Sequence, residues 1–412
     1  MDSQEAQLES QFGQSPSTGS KLGWILGALL LAAIAVVVVV SARPSDHVEE
    51  RANVLPLGVD SAEFEAVAQE FRAISAEAPG KEAVLATMAE RALAKGESDK
   101  ALACLSGIIC EVPQGPAARL QAAEILLERN DAVGAEGNLV ACTTYGAADD
   151  IEVTGRACNW LVFLYSVELR FEERKEILKQ MHQFGYASLS DSKLLHFPHL
   201  LIWNSTTARE RLNDFLEKNP SDASLLIAKA RFQTKVGELD EALSLLTQLR
   251  KSNSGNLNVH AALLECYFEQ DMRDEMQAVL TEAGAFDPTE PWLLTRMRAE
   301  LLVKDAPDQA AILFRHVLAN DPANPEANMG LLRTLPPESD EAAQCKSKAI
   351  VLSEIRVKLA AVQEGRTQEI QELVDMCRKA GLNEAANAFA TYLPLATGNQ
   401  QVSQTEAVHG DS

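Results

Sequence analysis

The chain has 412 residues, with 59 acidic against 37 basic side chains and a formal net charge of −22. Such a field repels phosphate backbones, and no basic patch with interleaved aromatics offsets it, so the sequence argues against nucleic acid as a partner. Aromatic residues make up 5% while Ala, Leu and Glu are abundant, a composition suited to helices rather than strands.

Residues 1–20 are rich in Gln, Ser and Gly, poor in apolar residues, and read as a disordered tail. Residues 21–41 follow as a transmembrane helix. Its core, Leu22 to Val40, is 19 residues without a charge, about 28 Å of helix against a hydrocarbon core of about 30 Å. Trp24 lies where an interfacial anchor would, and Lys21 and Arg43 bracket the ends. A cleaved signal peptide is the competing reading, since Val40–Ser41–Ala42 resembles a cleavage site. The long apolar run and the long acidic head favour an uncleaved anchor. Basic residues are nearly balanced across the span; an N-terminal anchor with a cytoplasmic head would place the large domain outside the cytoplasm. Gly23-x-x-x-Gly27 offers a route to a homodimer through the span.

Residues 42–60 form a linker with Pro44 and Pro56, residues 61–397 a helical array, and residues 398–412 a second free tail. The array keeps a beat. In "KVGELDEALSLL", Lys235 to Leu246, Gly237 ends one helix, Asp240 and Glu241 open the next, and Ala242 and Leu246 are placed to pack. Thirty-four residues on stand Met276 and Leu280, then Ala310 and Phe314; 34 residues back stand Ala208 and Leu212. Pro220, Pro288 and Pro322 separate the units, because proline cannot continue a helix. Units 189–222, 223–256, 257–290 and 291–324 share this register, as do 82–115 and 116–149, so the clearest repeats are 82–149 and 189–324. Residues 150–188 hold a looser pair, Pro336–Pro337 interrupts the beat, and Thr367–Ala380 with Asn383–Leu393 form a last degenerate pair.

These units resemble the tetratricopeptide repeat (TPR) family, built from 34-residue helix pairs with this Gly/Ala/aromatic/Pro signature. The expected fold class is therefore all-α, a TPR-like helix-turn-helix superhelical solenoid preceded by one transmembrane helix. Stacked helix pairs make a concave surface lined by first helices, and the resemblance implies that a protein or peptide ligand lies in that groove. Aligning the units turns Ile227, Arg231 and Lys235 inward, then Ala261, Glu265 and Phe268, then Trp292, Arg296 and Ala299. Arg231, Lys235 and Arg296 form either a basic patch for an acidic or C-terminal carboxylate ligand or a set of solvated helix-face charges. Phe268 and Trp292 are either peptide anchors or packing between repeats.

Signatures of chemistry are missing. There is no nucleotide loop, HExxH, EF-hand or G-x-S-x-G, and no cofactor is expected. The seven cysteines show no C-x-x-C spacing and read as small hydrophobes on helix faces. His196 and His199 of "HFPH", with His182, are the best metal candidates, but Pro198 disrupts the helix that would align them. The expectation is a membrane-anchored scaffold for protein–protein interactions in an envelope or membrane-associated assembly, and not an enzyme. The alternatives are a chaperone-like holder of extended segments near the bilayer, or an enzyme with an unrecognised site in 150–200 or 325–394.

Overall fold

The computed structural model describes residues 81–146, 150–199 and 206–394. The expected membrane helix, linker and tails lie outside them. Among the described residues no helix is long and apolar enough to cross a membrane, there is no strand, and eighteen helices follow one another. They are α1 (Lys81–Ala94), α2 (Ser98–Ser106), α3 (Gly115–Glu128), α4 (Ala132–Tyr145), α5 (Ile151–Val167), α6 (Phe171–Gln183), α7 (Leu189–His196), α8 (Thr206–Lys218) and α9 (Ala223–Val236). Then come α10 (Leu239–Ser252), α11 (Leu257–Glu269), α12 (Arg273–Ala283), α13 (Trp292–Leu302), α14 (Pro307–Asn320), α15 (Pro325–Thr334), α16 (Asp340–Ala361), α17 (Thr367–Lys379) and α18 (Asn383–Ala390). The described residues form an all-α helical-repeat solenoid.

The elbow at Gly237 explains the beat. Gly237 is left-handed at φ +86°, its N–H donates to the Thr234 carbonyl, and the Glu238 N–H donates to the Gln233 carbonyl. This pair of bonds ends α9 and aims the chain back along it. Thirty-four residues on, Asp271 repeats the turn at φ +54°; Gly96 and Asn130 are a second such pair. Between elbows the seam residues are sealed. Ala101, Leu105, Ala135, Leu139, Ala242, Leu246, Ala310 and Phe314 are all buried, so the sequence register matches the packing register. An alanine where two helices cross lets them approach closely, and the leucine or phenylalanine one turn later fills the seam.

Gly330 of α15 carries the same requirement further. A Cβ there would collide with the ring of Phe314, which is itself fully buried. Overpacking of this kind costs about 1–3 kcal/mol. Gly330→Ala should lower the thermal midpoint, and a Gly330→Ala/Phe314→Leu pair should recover part of the loss; a silent single variant would show the seam to be looser.

One unit departs from the expected pattern. Residues 189–222 have the 34-residue spacing but do not form a helix pair: α7 packs on α6 and on α18, while α8 packs on α5 and α9. The physical reason lies in "HFPH". Pro198 cannot continue α7, which ends at His196 after eight residues. Phe197, fully buried, is drawn into the C-terminal core with Leu189, Val374 and Phe389 instead.

As a result α6 and α7 form a hairpin along which the C-terminal units are arrayed. At its base, Arg231 of α9 donates to the Leu169 carbonyl at 3.1 Å, and the Trp292 N–H that begins α13 donates to Glu172 at 2.8 Å. Further along, Lys175 donates to the Asn320 carbonyl and Lys193 to the Val362 carbonyl. Near the tip, Tyr392 donates to the Ala187 carbonyl at 2.9 Å, and at the other end of α7 Phe197 stacks on Phe389 with centroids 6.2 Å apart. Most of these bonds satisfy groups at helix ends, where main-chain atoms lack partners within their own helix.

Candidate functional site

Where the base of the hairpin meets α9, α11 and α13, a cavity of about 510 Å³ remains. Four of the five residues expected in the groove line it: Arg231, Lys235, Trp292 and Arg296. Phe268 does not; it is half-buried against the core formed by α10, α11 and α12.

The three cations converge on one carboxylate. Glu265, 2% exposed, accepts from Arg231 Nε at 3.1 Å, meets Lys235 Nζ at 3.0 Å and lies 3.6 Å from Arg296 Nη2. Burial alone would raise its pKa, but Arg231, Lys235 and Arg296 together outweigh that and hold it at about 2. The three cations share this one buried carboxylate, and Lys235 also lies 3.7 Å from exposed Glu269. The basic residues are therefore neither simple solvated charges nor an unshared patch. Arg231 and Glu265 occupy the same position in successive first helices, 34 residues apart, which is why the repeat geometry brings them together.

The opposite wall belongs to the hairpin and is acidic. Glu168 and Glu173 are held by Arg170, each at 2.9 Å. Glu172 serves as a cap from another helix, accepting the first N–H of α13. Its pKa rises to about 7, because burial outweighs that hydrogen bond and the pull of nearby Arg231 and Lys175. Lys175 lies 4.8 Å from the centre of the Trp292 ring, so the indole is already part of an internal cation–π contact.

Beneath the cavity, Arg174 is fully buried and donates to Ser166 at 3.0 Å and to the Pro198 carbonyl at 3.1 Å, with the Phe171 ring 5.0 Å away. Burial lowers its pKa to about 9, so it stays protonated at neutral pH. His199 packs edge-on against Phe171 and places Nε2 3.2 Å from Asp321. Burial, followed by Arg231, Arg296 and Arg174, holds His199 at about 3. It is neutral at physiological pH, so its contact with Asp321 is not an ion pair there. The other two histidines considered for metal go elsewhere: His182 to Ser192 and His196 against Phe389. Among the described residues no three potential ligands meet. All seven cysteines are free thiols and six are buried.

The sequence marked the cations and Trp292 but missed Glu172, Arg174 and the His199–Asp321 contact. These depend on the α6–α7 hairpin, which no repeat register announces.

A measurable consequence follows from Glu172. Its native pKa lies above the usual carboxylate value, so between about pH 4.5 and 7 the folded chain holds a proton that the unfolded chain releases. Stability is therefore lost as pH rises through that window. Glu172→Gln keeps an oxygen for the Trp292 N–H and removes the cost of ionisation. Thermal midpoints should show it about 1–2 kcal/mol more stable than wild type at pH 8 and nearly equal at pH 4. Equal shifts at both pH values would contradict this assignment.

No protein-family model matches the chain, and no curated protein matches it. Similar solved structures include a tetratricopeptide repeat protein from Parabacteroides merdae, 13% identical over 63% of this chain and 100% of that one, with a TM-score of 0.31. The human IFIT1 dimer with PPP-AAAA is 14% identical over 84% of this chain and 76% of that one, TM-score 0.32. The Naa15/Naa10 complex bound to HypK-THB is 16% identical over 76% and 50% of the two chains, TM-score 0.23. At these values no activity or ligand passes from them to this chain, and the helical-repeat reading rests on its own elbows and seams.

Proposed function

We propose that this chain is a non-enzymatic scaffold for protein partners, tethered to a bilayer by Leu22–Val40 as a single-pass protein within a membrane-associated assembly. The observation that carries the binding role is the cavity at the hairpin base, where four of the five residues picked from the repeat register converge on one wall. A peptide carboxylate entering there meets the cationic side chains of Arg231, Lys235 and Arg296, which line one wall. Charge-assisted bonds to guanidinium are the stronger class of hydrogen bond. Trp292, half-buried at the mouth, offers a face to the side chain that precedes the carboxylate. The acidic wall disfavours a second negative charge on the ligand, so the cavity takes one carboxylate group rather than a polyanion. The net charge of −22 works against RNA or DNA in the same sense.

The test uses the full chain in its native membrane. Crosslinked partners are compared between wild type and Lys235→Gln/Trp292→Ala, which leaves the Arg231–Glu265 contact in place. Loss of one defined protein from the variant's set supports the reading; an unchanged set, or RNA as the main crosslinked species, would overturn it. A topology reporter fused after Ser412 tests the tether. It should report the extracytoplasmic side and co-sediment with membranes, and a soluble reporter would remove the anchor.

A further inference from the structure

A second cleft of about 440 Å³ lies away from the hairpin, between α12 and α14, with α13 as its floor. Its origin is local. α12 has 11 residues where α10 and α14 have 14, because Gly284, at φ +83°, ends the helix almost a turn early. The chain then leaves through "GAFDPTEP", and the space that a last turn of α12 would fill stays open.

Leu280, Leu301, Leu302 and Leu313 line this gap, with Phe286 and Ile312 at its edge. Ile312 is 63% exposed and Phe286 39%, so the apolar surface continues to the rim. The polar lining residues are Gln277, Thr281, Gln309 and Arg298. Arg298 Nε donates to both oxygens of Glu290, at 2.9 and 3.0 Å, which makes the one charged lining residue half of a neutral pair. Arg298 is 8% exposed, and its Nη2 has no hydrogen-bond partner among the described residues. A buried donor left unmade is costly. An occupant that brings an acceptor therefore gains more here than apolar contact alone.

We infer that this cleft receives the C-terminal turn of an amphipathic helix from a partner protein, standing in for the missing turn of α12. Three features select that occupant. The walls carry no net charge on a chain of −22, so the seated face is apolar. The gap lies between two helices, where an i, i+3, i+4 stripe packs naturally. Only the last turn of a helix has free main-chain carbonyls, and one of these suits the Arg298 guanidinium. A carboxylate fits less well, because Glu290 sits on the same guanidinium and repels it. This site is independent of the carboxylate-binding cavity proposed above.

The probe is a fluorescein-labelled Ala/Gln/Lys helix of about 16 residues with leucines at i, i+3, i+4 and i+7 in its last two turns and an amidated end. Anisotropy is read against the full chain in nanodiscs, with empty nanodiscs as blank. Saturable binding is expected. Ile312→Glu, an exposed change at the rim, should weaken it at least about tenfold; Lys235→Gln should leave it unchanged, and the free-acid peptide should bind no tighter than the amide. No saturable binding, equal binding by Ile312→Glu, or tighter binding of the free acid would overturn the assignment. Lys235→Gln separates it from failure of the first cavity.

Discussion

Glu265→Gln should be among the most damaging single changes in the described chain, costing about 3–5 kcal/mol of stability. The change keeps the shape of the side chain and removes the buried carboxylate that Arg231, Lys235 and Arg296 share. Arg231 and Arg296 are each less than a tenth exposed, so water cannot replace the lost carboxylate well. Chemical denaturation would show a lower midpoint, and hydrogen exchange should quicken first in α9, α11 and α13. The double variant Glu265→Gln/Arg231→Gln should lose less than the sum of its parts, since the two residues are in contact. The pH dependence has a definite sign. Because the folded pKa of Glu265 lies at about 2, below the unfolded value, its contribution is present above about pH 4.5 and disappears as pH falls towards 2. His199, depressed to about 3, acts in the same direction from about pH 6.5 downwards. Glu265→Gln should therefore flatten the steepest part of the acid limb. A loss below about 1 kcal/mol would mean that solvent screens the cluster.

Phe389→Ala should detach the C-terminal helix pair from the hairpin. Phe389 is fully buried, stacks on Phe197 and meets the ring of His196 edge-on. Truncating such a ring costs about 3–5 kcal/mol. The loss should be local rather than global, because in a repeat array each unit rests mainly on its neighbours. Limited proteolysis should open sites in α17 and α18 and around α7 while α1 to α5 remain protected. Tyr392→Phe, which removes the bonds to Ala187 and Ser192 and keeps the ring, should cost about 1 kcal/mol. If α1 to α5 lost protection together with α18, the array would be one cooperative unit and the hairpin its keystone.

The periodic part of this architecture was legible in the sequence because it is made of local rules. A left-handed residue ends a helix, an acid opens the next, and a small residue recurs at each close approach; Gly237, Asp240 and Ala242 display all three. The hairpin was not legible. Residues 189–222 kept the 34-residue count, yet Pro198 stopped α7 and the burial of Phe197 and Leu189 was settled by helices almost 200 residues further on. Periodicity reports nearest neighbours, and contacts of that span leave no periodic trace. The cavity was half legible for the same reason. Arg231, Lys235, Trp292 and Arg296 come from the repeat wall, whereas Glu172, Arg174 and His199 come from the hairpin. The neutralising role of Glu265 could have been read from opposite charges at equivalent positions of successive first helices: Arg231 with Glu265, and Lys235 with Glu269.

The central claim is that the cationic wall of the cavity binds a single peptide carboxylate. Calorimetric titration of the full chain with a short peptide ending in an aromatic residue and a free carboxylate addresses it directly. One site should saturate at pH 6, weaken at pH 8 as Glu172 ionises on the facing wall, and weaken further in Lys235→Gln. The amidated peptide should not bind. Equal heats from acid and amide, or the same affinity in Lys235→Gln, would contradict the account.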